Sequence, residues 1–203
     1  MAADISALGD LQSSAPLDME SYVPVREAGG FRLPKAGTYT VRAKESFEGA
    51  FGRSAAGFLK VDVSPTIVGG DHDGFEIRYS SVSAKTYGKN NERSQIGDYL
   101  KACGFEGKVP GDPQGLADAV EQTAGRLFKV QLDWRAYNKN NPGFEVKYMR
   151  NFPIDEKSGE HQTWVTDPND LVQDGDKVDA SGVPVMVPRR LRANVEITRY
   201  LSA

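Results

Sequence analysis

The chain has 203 residues, 39% of them hydrophobic, with a mean hydropathy of -0.49 and a formal net charge of -3; that length holds one elaborated domain, with part of the chain left to loop or tail. One cysteine excludes an intramolecular disulfide and a cysteine-rich zinc site, and no apolar run approaches the roughly 18 residues of a membrane helix. The opening MAADISALGD has neither the basic start nor the apolar block of a secretory leader, so a soluble protein of the reducing cytosol is expected.

Residues 1–34 mix Ser, Ala, Pro, Asp and Gly without periodicity and read as a flexible N-terminal arm. In GTYTVRAKESF, Tyr39, Val41 and Ala43 alternate with Thr40, Arg42 and Lys44, the pattern of a half-buried first strand. The glycine-bearing EGAFGRSAAG breaks it before a second strand, in which Leu59, Val61 and Val63 face inward. A turn at VGGDHDG leads to a third strand with Phe75, Ile77 and Tyr79 on the inner face. Ile96, Tyr99, Leu100 and Cys103 fall at helical spacing and stop at Gly104. A second helix starts with Asp112 as N-cap and Pro113 at its first position, carries the stripe Leu116, Val120 and Ala124, and ends at Gly125. Residues 126–152 then read as a hairpin of strands four and five around an Asn/Pro/Gly turn. An acidic, turn-rich insertion over 154–190 precedes a last strand over 191–203 that closes on the core. Three strands, a helical connection and a two-stranded hairpin are the element order of an OB-fold-like five-stranded barrel, here with an extra C-terminal strand and its core over 35–153. A different small barrel or an open α+β sheet gives a similar string.

Charge is distributed unevenly. Residues 1–31 hold one basic and five acidic side chains, residues 32–153 hold 18 against 14, residues 154–179 two against eight, and residues 180–203 four against one. A mildly basic body flanked by acidic segments suits an anionic partner better than the total charge suggests.

Strand parity selects the residues that face such a partner. In the hairpin, Phe128, Val130, Leu132, Trp134 and Ala136 share the core face, leaving Lys129, Gln131, Asp133, Arg135 and Tyr137 outward, of which Arg135 and Tyr137 are the better candidates for contact. On strand five Phe144, Val146 and Tyr148 point inward and Lys147 outward, and Lys139 sits in the turn. Arg42, Lys44, Phe58, Lys60 and Arg78 have the outward parity on strands one to three and are expected to form a continuous patch with them. The first loop offers Phe51 and Arg53, the ring either stacking on a base or tucking against the barrel. AKTYGKNNER supplies Lys85, Tyr87, Lys89 and Arg93: cations for phosphates and a ring for a base. Catalytic signals are weak. His72 lies between two aspartates in a turn of hairpin composition, and no metalloprotease, phosphate-loop or nucleophile-elbow motif occurs. No enzyme activity, metal or cofactor is expected.

The stretches LPKAGTYTVRAKES, GFLKVDVSPTIVGGDHDGFEIRYSSVSAKTYG, SQIGDYLKACG and GRLFKVQLDWRAYN resemble a family encoded by tailed bacteriophages and prophages near replication and recombination genes. Its members are often labelled single-stranded DNA-binding. The resemblance implies an OB-like fold, single-stranded DNA as partner, phage replication or recombination proteins as further partners, and a cytoplasmic location in the bacterial host. One departure is that the acidic stretch is internal, whereas bacterial single-strand-binding proteins end in an acidic tip. The alternative is an OB-like interaction module that docks a phage recombinase, nuclease or structural protein through its acidic insertion and last strand.

Overall fold

A computed structural model describes residues 32–202, so nearly all of the expected N-terminal arm lies outside the described residues. Leu33 and Pro34, expected in that arm, are docked: Pro34 is buried and its carbonyl accepts the Trp134 indole N–H at 2.8 Å.

Among the described residues the protein is mainly β, with a central sheet curled into a half-barrel and two α-helices. Its spine is β8 (Leu127–Tyr137), which has no glycine or proline to interrupt pairing and alternates strictly between buried and solvent-facing residues. β1 (Gly37–Arg42) pairs antiparallel with one edge of β8 over Leu127–Leu132. β12 (Asn194–Leu201) takes the other edge, from Arg135 to Lys129. The last strand, beginning at Asn194 and not at 191, closes on the core. Strand five is the surprise: β9 (Glu145–Lys147) has three residues and merely extends the β1 edge, so β12 is the long neighbour of β8.

The first three expected strands are present but broken. Phe51 and Arg53 belong to β2 (Phe51–Arg53), which pairs with β3 (Leu59–Asp62), and not to a loop. β4 (Thr66–Ile67) pairs with the end of β1, and β5 (Ser81–Ser83) with β3. Within the third strand Ile77 is buried, but Tyr79 adopts a φ of 61° and is 89% exposed. That backbone turn breaks the alternation on which its inward placement rested.

A short pair, β6 (Thr86–Tyr87) with β7 (Arg93–Ser94), leads into α1 (Gln95–Ala102). The Ser94 hydroxyl caps α1 by accepting the Gly97 N–H, and Gly104 ends it at a φ of 73°. Ile96, Tyr99, Leu100 and Cys103 are buried, as their spacing predicts. α2 (Pro113–Glu121) is capped by Asp112, but its stripe ends in buried Thr123 and not Ala124, which is exposed. The helix stops at Glu121, and Thr123 bonds the Tyr99 hydroxyl at 2.8 Å. No pairing joins β5 to β12 among the described residues; α1 packs against both and occupies that side of the half-barrel.

Two apolar clusters lie along β8. Phe128, Val130 and Leu132 join the main core with Val41, Val61 and α1. Trp134 and Ala136 join a second, with Phe152, Val165 and Ala193. The acidic stretch above this second cluster is not turn-rich: β10 (Trp164–Val178) and β11 (Pro184–Arg192) form a long antiparallel ribbon. Its base is locked to the β8–β9 turn by buried Asp167, which accepts the side-chain amides of Asn138 at 2.9 Å and Asn141 at 3.0 Å. Among the described residues, no helix is long and apolar enough to cross a membrane.

Candidate nucleic-acid interface

The solvent face of the central sheet is set by β8. Because Phe128, Val130 and Leu132 are buried, Lys129 and Gln131 lie on the opposite face. In register, Lys129 faces Thr40 on β1 and Leu201 on β12, while Gln131 faces Thr38 and Arg199. Arg42 is two residues along β1 from Thr40 and Arg199 two residues along β12 from Leu201, so Arg42 and Arg199 are each diagonal neighbours of Lys129, about 7–8 Å from it on opposite sides. All three are exposed, and none has an ion-pair partner among the described residues. Their cross-strand neighbours on this face are Thr38, Thr40, Gln131, Leu127 and Leu201, none of them acidic. Of the stripe, alternation along the strands places Arg42 and Lys129 outward, though only Arg42 is among the expected contact residues. Arg199 emerges from the β8–β12 register, a long-range pairing that local alternation does not reveal.

At its far end β8 has a different electrostatic character. Arg135 is held by Glu145 at 2.6 Å and Glu196 at 3.1 Å, and Lys147 lies 3.2 Å from Glu145. Burial works against the Glu145 carboxylate, but hydrogen bonds from Lys147 and Arg135 outweigh it and hold its pKa below the usual range. Two cations and two carboxylates thus neutralise one another. Tyr137 is 45% exposed, with the Arg135 guanidinium 5.3 Å from its ring centre. Beyond β9 the chain reverses an expectation: Tyr148 takes a φ of 68° and is exposed, while Met149 packs against the second core cluster in its place. Arg150 lies 5.0 Å from the Tyr148 ring centre.

The remaining expected contact residues do not make one continuous patch. Lys44 is paired with Asp62 at 2.8 Å and Arg78 with Glu76 at 3.0 Å. Burial raises the Asp62 pKa, but bonds from Lys44 and Ser64 outweigh it and leave the group below its ordinary value. Phe51 tucks inward, its ring centre 6.5 Å from that of Phe47. Lys60 faces outward on β3, whereas Arg53 lies opposite inward-facing Leu59 and so on the other side of the ladder. Tyr87 and Arg93 both bond Asp98, and the Arg93 guanidinium lies 5.5 Å from the Tyr87 ring centre. Burial, then the Asp98 carboxylate, raises the Tyr87 pKa, so its hydroxyl stays a neutral donor. Lys85, Lys89 and Lys139 are exposed without ion pairs among the described residues. Phe58 lies on the rim of a groove of about 1220 Å³ beside α1, lined also by Phe105, Val109 and Lys101. His72 meets Tyr39 edge-on, with ring centres 6.1 Å apart.

A family described as "Protein of unknown function (DUF669)" matches residues 24–159. The chain belongs to that family. The matched stretch carries Arg42, Lys129, Tyr137 and Tyr148 and stops short of β10, β11 and β12. No curated protein and no solved structure matches the chain.

Proposed function

We propose that this protein binds single-stranded DNA with little sequence preference, as a non-enzymatic component of phage DNA replication or recombination. One observation carries the reading: Arg42, Lys129 and Arg199 run diagonally across the solvent face of three paired strands, with threonine, glutamine and leucine neighbours and no carboxylate among them. Such a surface attracts phosphates, and single strands release counterions when their phosphates are neutralised. The resemblance of residues 33–152 to phage single-strand-binding proteins supports the same partner. So does an OB-like reading of the half-barrel: β1 with β2, β3 with β4, and β5 form the first meander, β8 the fourth strand, and β12 stands in the fifth position. On that reading the loops used for nucleic acid carry Phe58 and Lys139.

The test is fluorescence anisotropy with labelled oligo-dT and a matched duplex. Three phosphate contacts give a salt slope near -2 for a single strand, so affinity for oligo-dT falls about 20-fold between 50 and 200 mM salt. Binding that is indifferent to salt, or equal for duplex and single strand, overturns the proposal. A second reading, a protein-docking module, is favoured by Leu171, Val178, Val183 and Met186, all exposed on the β10–β11 ribbon. No oligo-dT binding at micromolar protein favours that reading instead.

A further inference from the structure

We infer that Tyr137, Tyr148 and Trp164, each backed by its own arginine, form a stacking track for the bases of a bound single strand. The inference rests on the reading of the protein as a single-strand binder and assigns the bases, where the Arg42–Lys129–Arg199 stripe takes phosphates. Three features converge on the far end of β8 and the ribbon base. First, guanidinium carbons lie 5.3 Å from the Tyr137 ring centre (Arg135), 5.0 Å from that of Tyr148 (Arg150) and 3.7 Å from that of Trp164 (Arg190). A ring with an arginine at its face offers a base both a π-surface and a planar cation.

Second, none of these rings belongs to an apolar cluster among the described residues. Tyr148 occupies a position whose parity calls for burial beside Val146, yet its positive φ leaves it 44% exposed while Met149 packs against the second core cluster. A bulky residue with positive φ is an outlier that the surrounding structure must sustain, and such residues gather at binding sites. Arg135, which backs Tyr137, is fixed between Glu145 and Glu196, so little side-chain freedom remains to be lost on binding.

Third, the strands bring the sites together. Lys147, next to Tyr148, faces Arg135, and Arg135 also faces Asn194 on β12. Two residues before Asn194 is Arg192, which faces Trp164 across the ribbon, while Arg190 faces Thr166. β11 also contacts β8 directly. Arg190 and Arg192 have no ion-pair partner among the described residues, so this end is supplied with cations as well as rings.

The experiment compares oligo-dT with an abasic deoxyribose-phosphate oligomer of the same length and charge. The wild-type protein is expected to bind oligo-dT at least about fivefold more tightly than the abasic oligomer, since each stacked base contributes appreciably. Tyr148→Gly, which suits the left-handed backbone at that position, is expected to lower affinity for oligo-dT about fivefold or more without altering affinity for the abasic oligomer. Trp164 fluorescence should be quenched by oligo-dT alone, because the other tryptophan, Trp134, is buried. Equal affinity for the two oligomers, or unchanged oligo-dT binding by Tyr148→Gly together with unquenched Trp164, overturns the stacking track while leaving single-strand binding intact. Failure of the wild-type protein to bind either oligomer overturns both.

Discussion

The two ends of the solvent face of β8 share one strand and one parity, yet they differ in what their cations are free to do. At one end Lys129 lies between Arg42 and Arg199 with threonines, a glutamine and two leucines for company. At the other, Arg135 and Lys147 are matched by Glu145 and Glu196 and become scaffolding for exposed rings. A basic residue in a sequence is therefore not yet a contact residue. Its cross-strand neighbours decide whether it meets a phosphate or an acid of its own sheet.

That contrast can be broken by experiment, and the largest effect belongs to the unpaired end. Replacing Arg42, Lys129 and Arg199 together by alanine should weaken oligo-dT binding about 100-fold at 0.1 M salt, because each lost contact removes a slope of about 0.7. The salt dependence should flatten with it in the same anisotropy titration. At the paired end the sign reverses. Glu145→Gln with Glu196→Gln leaves Arg135 and Lys147 without counter-charges, and affinity should rise about tenfold. Lys147→Gln in the otherwise unaltered protein should change binding by less than about twofold, since an ion-paired surface cation contributes little.

Acid sharpens the same comparison through stability. The Glu145 pKa is depressed in the folded protein, so Glu145 contributes stability above the ordinary glutamate pKa of about 4.3 and loses it as pH falls through the folded value. The drop in Tm between about pH 6 and pH 3 should accordingly be smaller for Glu145→Gln than for wild type. An equal drop would show that the ion pairs at this end contribute nothing to folding. The smallest expected effect is none at all. Burial pushes the Cys103 thiol up to about 12, and the residue lies under α1 away from the solvent face. Its protection from a thiol reagent at mild alkaline pH should be the same in every one of these variants, which checks that they fold alike.

Much of this architecture was legible in the sequence. The alternation from Phe128 to Ala136 specified a half-buried strand, and Phe128, Val130, Leu132, Trp134 and Ala136 are all buried. Asp112 and Gly104 punctuate the helices where the sequence places them, because capping chemistry is local; the Ser94 cap of α1 emerges only from the structure. Misplacements began where local rules stop. Tyr79 and Tyr148 each follow an alternating run, but a left-handed backbone at each ends the alternation and leaves the ring exposed. The insertion looked like loop because of its aspartates, glycines and proline, yet its pairing with β11 supplies the hydrogen bonds of a ribbon.

By itself, then, the sequence determined the mainly β class, the two helices with the Asp112 cap and the Gly104 stop, and the inward face of β8, since periodicity and capping depend on neighbours within a few residues. Only the tertiary structure decided that β12 and not β9 is the long partner of β8, that Arg199 joins Arg42 and Lys129, and that Arg135 is neutralised by Glu145 and Glu196. Glu196 lies 61 residues along the chain from Arg135. Pairing over that separation is fixed by register and burial across the whole sheet, and no window of alternation contains it.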